Sequence, residues 1–397
     1  MRASMRWLAA LGLLVGAVSL GFTCRAPRPT LPVEVQTIVD QVKARHCPDK
    51  RLELFEVTGW ESKGQLVLVG ETTSPVAHAE LVERLRAAFP RKRLVDRVRV
   101  LPDSTVGGSG WAIVNVSVAN LRREPLHSAE LTNQALLGSV LRLYKKHRDW
   151  YFARLEDGYL GWTDDGGLWI VDSLSAADWL AAPRLIVLAL ETTVYSLPAR
   201  EAQPVSDAVA GNILRHLRTQ SGWYEVAFPD GRRGWIHSDD AKPLEDFLKH
   251  ASPNPEAIVR TAMRLLGRPY LWGGTSPKGL DCSGFACTVF RLNGVLLPRD
   301  ANMQAMVGEE VPLDSSLSSA QPGDLLFFGP NPGRITHVGI YLGAGQFIHS
   351  DSHVRVQSLR PGEPGFSAYR YQNLRRAKRV LSRLVRDPVT GWYRVKD

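Results

Sequence analysis

The stretch "YLWGGTSPKGLDCSGF", residues 270–285, decides how the chain is read, because it sets Cys282 directly behind an aspartate and ahead of an apolar helical pattern. Ala286, Val289 and Phe290 recur at helical spacing and Gly294 stops the run, so a short helix packed on one face is expected, with Asp281 as its cap. A thiol attacks as its thiolate, and a helix N-terminus favours that charge. The dipole contributes only about 0.3–1 kcal/mol, less than the roughly 1.4 kcal/mol of one pKa unit, so an imidazole base is needed as well. His337 in "ITHVGIYLG" begins a predicted strand, and His349 in "FIHS" lies near the end of the next. The tight "LGAGQ" link makes those strands antiparallel, which brings the start of one beside the end of the other. Cys282, His337 and His349 are therefore candidates for nucleophile, base and the residue that orients the base.

Six segments in a fixed order carry a family resemblance: "YLWGG" (270–274), "DCSGF" (281–285), "LPRDA" (297–301), "QPGDLLFF" (321–328), "THVGIYLG" (336–343) and "FIHS" (347–350). Together they resemble the NlpC group of papain-like peptidoglycan peptidases, over about one third of the chain. The resemblance implies a papain-like α+β catalytic domain at residues 250–380, with Cys282 as nucleophile, His337 as base and His349 as the third residue. It also implies Tyr270 beside the backbone N–H of Cys282 on a tetrahedral oxyanion. Asp281 and Ser283 would contact substrate, Trp272 would line an L-Ala pocket, and Arg299 would grip the D-Glu α-carboxylate as a bidentate donor. The residues alone leave plainer roles open: Tyr270 packing on the first helix, Asp281 and Ser283 capping, and Arg299 paired with Asp300 or another acid. Ala301 stands where such enzymes often have Ser, which puts one hydrogen bond to the substrate carboxylate in doubt.

Upstream, residues 136–168 and 209–241 repeat one order of features: a Gly, a strand, a turn, a Trp-Tyr strand, an Asp-Gly turn and a Gly-Trp strand. Asp157-Gly158 and Asp230-Gly231 suit the positive φ of tight turns. The duplication resembles two tandem bacterial SH3-like barrels, at residues 104–180 and 181–248, in which Trp150, Tyr151, Trp162, Trp223, Tyr224 and Trp235 read as core. The pairing with the catalytic segments is similar to that of γ-D-glutamyl-L-diamino-acid endopeptidases that act on stem peptides with a free N-terminal L-Ala. By that resemblance Glu130 and Tyr159, with Asp281, would receive the L-Ala ammonium, a charge that needs a paired anion if buried. A surface Glu and a core Tyr are the plain alternatives. Residues 31–103 read as helix, hairpin through Lys63-Gly64, helix and strand, a small α+β unit similar in element order to BON-type modules.

Several domains are also what 397 residues require, at roughly 100–200 residues each. The fold class is thus multi-domain α+β. The opening "MRASMRWLAALGLLVGAVSLGFTC" places Arg2 and Arg6 before an apolar run too short to favour a spanning helix, and reads as an export signal over residues 1–24. It ends at Cys24, a candidate lipidated residue and membrane tether, although Gly21, Phe22 and Thr23 depart from the usual lipobox. Cleavage by another peptidase, or an uncleaved anchor, would still export the chain. Of four cysteines, three remain if Cys24 is lipidated, so no disulfide framework is implied. Cys282 and Cys287 lack the neighbouring His or Cys of a zinc site, and no cofactor is expected. The formal charge is +9, of which residues 370–397 supply nine Lys/Arg against two acids, or +7. Only Trp392 and Tyr393 sit near the far end of that stretch, too few interleaved aromatic platforms for nucleic acid. Residues 381–397 read as a basic tail attracted to an anionic envelope, or as a solvated helix face.

The expected function is a monomeric, exported cysteine endopeptidase of the cell envelope. Its substrate would be a murein peptide, cut between γ-D-Glu and meso-diaminopimelate or Lys, with peptidoglycan recycling as its role. The alternatives are a non-catalytic wall-binding protein that works through its SH3-like pair, and a related thiol amidase or acyltransferase.

Overall fold

The computed structural model describes residues 30–396; the leader and the Cys24 lipidation site lie outside the described residues. A helix, Val33–His46, opens the first unit, followed by strands Phe55–Ser62 and Gln65–Thr72, helix Pro75–Ala88 and strand Arg93–Val100. Lys63 and Gly64 both take positive φ, 47° and 71°, the combination a two-residue hairpin turn needs, and Ser62 faces Gln65 across it. The third strand pairs parallel with the second, which requires a crossover; helix Pro75–Ala88 supplies it. Ser74 caps that helix by accepting from the Ala77 N–H, and Pro75 sits where no N–H is needed. Val35, Val39, Val42, Leu66, Leu68, Leu81 and Leu85 form its core.

Two seven-stranded sheets follow. With the strands of each counted one to seven along the chain, the order across both is 7-1-4-5-6-2-3. The sequence repeat is therefore a structural repeat. Each Asp-Gly turn is closed by a glycine N–H, Gly158 to the Leu155 carbonyl and Gly231 to the Phe228 carbonyl, with φ of 87° and 88°. Trp150, Tyr151, Trp223 and Trp235 are buried, whereas Trp162 and Tyr224 are only half-buried. Helix Ser173–Ala181 bridges the two barrels, and the buried Asn212 amide donates to the Ser117 carbonyl at 2.8 Å.

The last unit places helices Pro255–Met263 and Cys282–Arg291 against a six-stranded sheet. Asn254 caps the first by accepting from the Ala257 N–H at 2.9 Å. Strands Leu325–Phe328, His337–Gly343 and Gln346–Ser350 run side by side in the sheet. Phe285, Val289 and Phe290 of the second helix meet Phe327, Val338, Ile340 and Ile348 of that sheet in one apolar cluster. Each such side chain contributes roughly 1.5–3 kcal/mol on full burial, enough to fix the helix start against the sheet.

The C-terminal stretch departs from the expected basic tail or solvated helix face. Leu374–Arg379 is an interior strand of the six-stranded sheet, and Leu384–Arg386 and Tyr393–Val395 form a small sheet with Val295–Leu296. Trp392 is 5 % exposed, packed near Phe247, with the Arg291 guanidinium over its ring. Apolar anchors between the charges pull the segment onto the fold.

Candidate active site

Cys282 is the first residue of its helix, and the Asp281 carboxylate accepts from the Gly284 N–H at 2.7 Å as the cap. The preceding "YLWGG" turns back on this helix start: Asp281 N–H donates to the Gly274 carbonyl, and Leu271 N–H to the Leu280 carbonyl. The approach is so close that a Cβ on Gly284 would lie 2.0 Å from the Gly274 carbonyl oxygen. Gly273, at φ 77°, faces the Leu131 carbonyl of the first barrel in the same way, 2.5 Å from where a Cβ would stand. The glycines of this segment thus admit both the helix and the barrel.

His337 opens its strand and His349 lies near the end of the next, with His337 Nε2 and His349 Nδ1 2.9 Å apart. His349 Nε2 lies 2.9 Å from Oε1 of Gln357, a residue the sequence reading does not single out. A carbonyl oxygen only accepts, so His349 carries its proton on Nε2 and accepts at Nδ1 from His337 Nε2–H. That leaves His337 Nδ1 as the free base of the ring. Gln357 was in reach of pattern reasoning: His349 pairs with Arg355 in the next strand, and Gln357 is two residues further on the same face.

Tyr270, Trp272, Asp281, Cys282, Ser283 and His337 line one cleft together with Glu130 and Tyr159 of the first barrel. His349, fully buried, stands behind His337 rather than in the cleft. Glu130 Oε1 accepts from Trp272 Nε1–H at 3.0 Å and Oε2 pairs with Arg123 at 2.7 Å, so it sits at the rim, a third exposed. Tyr159 is buried, its hydroxyl 3.3 Å from Asp300 Oδ2.

Arg299 is placed differently from the expected substrate clamp. It is 2 % exposed and does not line the cleft. Its Nη2 donates to Asp281 Oδ2 at 2.6 Å, Nη1 to Asp281 Oδ1 and Ser283 Oγ, and Nε to Asn133 Oδ1. The fork is spent inside the protein, on the acid that caps the nucleophile's helix. The same contact neutralises the buried Asp281, whereas Glu130, paired with Arg123, stays at the exposed rim of the cleft.

Electrostatics also modify the expected thiolate. Burial, reinforced by the Asp281 charge, pushes the Cys282 thiol up to about 11. Two pKa units correspond to about 2.7 kcal/mol, which outweighs the helix dipole. Burial likewise holds His337 well below its ordinary value, helped by Arg370, and brings His349 down to about 4. Both shifts favour the uncharged forms of the thiol and the imidazole that line the cleft, an arrangement suited to proton transfer during attack. Burial raises Tyr270 to about 12, so its hydroxyl remains a donor at neutral pH. The second thiol of the helix, Cys287, is pushed up to about 12 and lies against the Pro298 carbonyl, outside the cleft that Cys282 and His337 line.

Comparison with known proteins bears on this geometry. The model described as NlpC/P60 family matches residues 267–375, and that described as bacterial dipeptidyl-peptidase Sh3 domain matches residues 121–168. Dipeptidyl-peptidase 6 of Lysinibacillus sphaericus is 30% identical over 265 residues, 64% of this chain and 93% of that protein. The chain belongs to the NlpC/P60 family. A Bacillus cereus protein named gamma-D-glutamyl-L-lysine dipeptidyl-peptidase is 29% identical over 248 residues, 60% of this chain and 72% of its own length. The crystal structure of an NlpC/P60 family protein from Bacillus cereus superposes with a TM-score of 0.58 at 26% identity, covering 68% of this chain and 99% of that one. In this NlpC/P60 chain the matched segments contain Cys282 and His337, backed by His349 and Gln357, and the barrel residues Glu130 and Tyr159 of the same cleft.

Proposed function

We propose that this NlpC/P60 protein is a cysteine endopeptidase that cuts murein stem peptides between γ-D-Glu and the following diamino acid, and that it requires a free N-terminal L-Ala. The observation that carries the reading is the convergence of Cys282 and His337, backed by His349 and Gln357, on a cleft that Glu130 and Tyr159 of the first barrel also line. Cys282 Sγ attacks the γ-carbonyl carbon of D-Glu while its proton passes to His337 Nδ1. The Cys282 N–H and the Tyr270 hydroxyl hold the oxyanion. His337 then returns the proton to the amine of the diamino acid as the C–N bond breaks, leaving a thioester. Water attacks that thioester with His337 again taking a proton; the C–S bond breaks, His337 returns the proton to Cys282 Sγ, and L-Ala-γ-D-Glu leaves. The cationic imidazole of each step is stabilised by its hydrogen bond to His349.

The relatives named as dipeptidyl-peptidases support release of a dipeptide, and the position of Glu130 supports capture of an ammonium at its end. The first barrel then acts as a wall against stems still joined to glycan, and the protein recycles released peptides. Family membership fits work at the cell envelope. The leader ending at Cys24 supports export, with a membrane tether when that thiol is lipidated.

The test is incubation of the purified protein with L-Ala-γ-D-Glu-meso-diaminopimelate and its N-acetylated form, with products read by mass. Cleavage of the free amine alone, absent in Cys282→Ala, is expected. Equal cleavage of both peptides would remove the ammonium role of Glu130 and Tyr159.

A further inference from the structure

Neither matched family segment reaches the N-terminal α+β unit, yet that unit forms part of the cleft wall through Lys50, Arg51, Leu54, Glu56 and Glu71. Arg51 reaches both the first barrel and the catalytic unit. Its main-chain carbonyl accepts from the Leu160 N–H at 2.7 Å, tying it to the barrel residue next to Tyr159. Its guanidinium is gripped along one edge by Asp49 of the same loop, with Nε donating at 2.9 Å and Nη2 at 2.5 Å. From the other edge, Nη1 donates to Asp300 Oδ2 at 2.6 Å and to Asn302 Oδ1 at 2.9 Å, on either side of Ala301 in the catalytic unit.

One residue of the extra unit therefore joins both walls of the cleft where they meet, since the Tyr159 hydroxyl points to the same Asp300 oxygen. Burial, followed by the Asp300 charge, raises the Tyr159 phenol, so its O–H stays in place to donate. A phenol that gives its proton to Asp300 turns its lone pairs elsewhere, and an ammonium needs acceptors. Resting on the proposed function above, we infer that Arg51 is a positioning residue for the ammonium subsite. It holds Asp300 so that the Tyr159 oxygen faces the cleft as an acceptor, which makes the N-terminal unit part of substrate recognition.

Arg is suited to this bridge because its planar fork spans two carboxylates at once; Lys, a point charge, engages fewer of those acceptors. The experiment uses the full-length protein with Arg51→Ala and Arg51→Lys, the free-amine and N-acetyl tripeptides, and active-site titration of Cys282. Arg51→Ala should raise KM for the free amine about tenfold with kcat per titrated site within about twofold, and shrink discrimination against the N-acetyl peptide by the same factor. Arg51→Lys should fall between wild type and Ala, and gives the readout if Ala does not fold. A purely structural joint would lower the melting temperature and the titrated fraction while KM and discrimination stay within about twofold of wild type; that result overturns the inference and leaves the proposed function standing. Wild-type protein that fails to discriminate between the peptides would overturn both.

Discussion

Arg299→Met separates the two roles that this guanidinium can have. The substitution deletes four hydrogen bonds, to Asn133, Ser283 and both oxygens of Asp281, at a side chain 2 % exposed. Asp281 stays buried, with its remaining hydrogen bonds from the N–H groups of Gly273 and Gly284 and the Ser283 hydroxyl. Removing one partner of a buried pair costs about 3–5 kcal/mol, because the other charge is left uncompensated. A multi-domain chain has no single unfolding free energy, so the quantity to follow is the catalytic unit's melting transition by calorimetry. At roughly 2–4 °C per kcal/mol for a unit of this size class, a drop of about 6–20 °C is expected. Asp281→Asn combined with Arg299→Met removes both charges and should recover a substantial part of that loss, since an ion pair replaced as a whole is often near neutral. A catalytic transition within about 3 °C of wild type, with KM for the γ-D-glutamyl peptide raised tenfold or more, would refute the reasoning. It would mean that the guanidinium is free to bind the substrate carboxylate after all.

Gln357→Leu removes the acceptor that fixes the His349 proton on Nε2, and should lower kcat roughly 10–100-fold with KM unchanged, short of the loss of a whole general base; an unchanged kcat would show that the tautomer is set elsewhere. The base His337 works unprotonated and its folded pKa is depressed, so kcat/KM should be lost only as pH falls through a value well below 6.5. A pH profile whose acid limb lies at or above 6.5 would contradict the neutral resting pair. Gly284→Ala sets a methyl 2.0 Å from the Gly274 carbonyl, backbone against backbone, and should destabilise the helix start by at least the roughly 1–3 kcal/mol typical of overpacking; a melting curve matching wild type would show that the turn yields.

What was legible in the sequence is what local rules govern. The Asp281 cap, the second helix of the N-terminal unit and the His337–His349 contact each follow from residues a few positions apart, or from one tight hairpin. The sequence repeat reflects the strand order that the two barrels share. The C-terminal strands were not legible, because nine basic residues mask the apolar anchors between them; Trp392 buries itself through packing on Phe247, far away in the chain. Cys282 shows a similar limit: spacing finds its helix dipole, but the larger desolvation effect depends on how many distant segments close over the thiol.

The contacts between units around the cleft are illegible for a further reason. Arg299 meets Asn133 across 166 residues, Trp272 meets Glu130 across 142, and Arg51 meets Asp300 across 249. Sequence identifies each as a cation, an acid or a donor, but electrostatics is blind to chain position and any of 40 acids could serve any of 49 cations. Choosing among them requires the packing of three units on one another. That is why Arg299, placed by motif in the substrate pocket, is instead a buried strut. The same packing brings Arg51, which no motif marks, to the rim of the cleft. Glu130 of the barrel and Arg51 of the N-terminal unit line the cleft beside Asp300 of the catalytic unit, so substitutions outside the catalytic domain should alter the cleft as well as those within it.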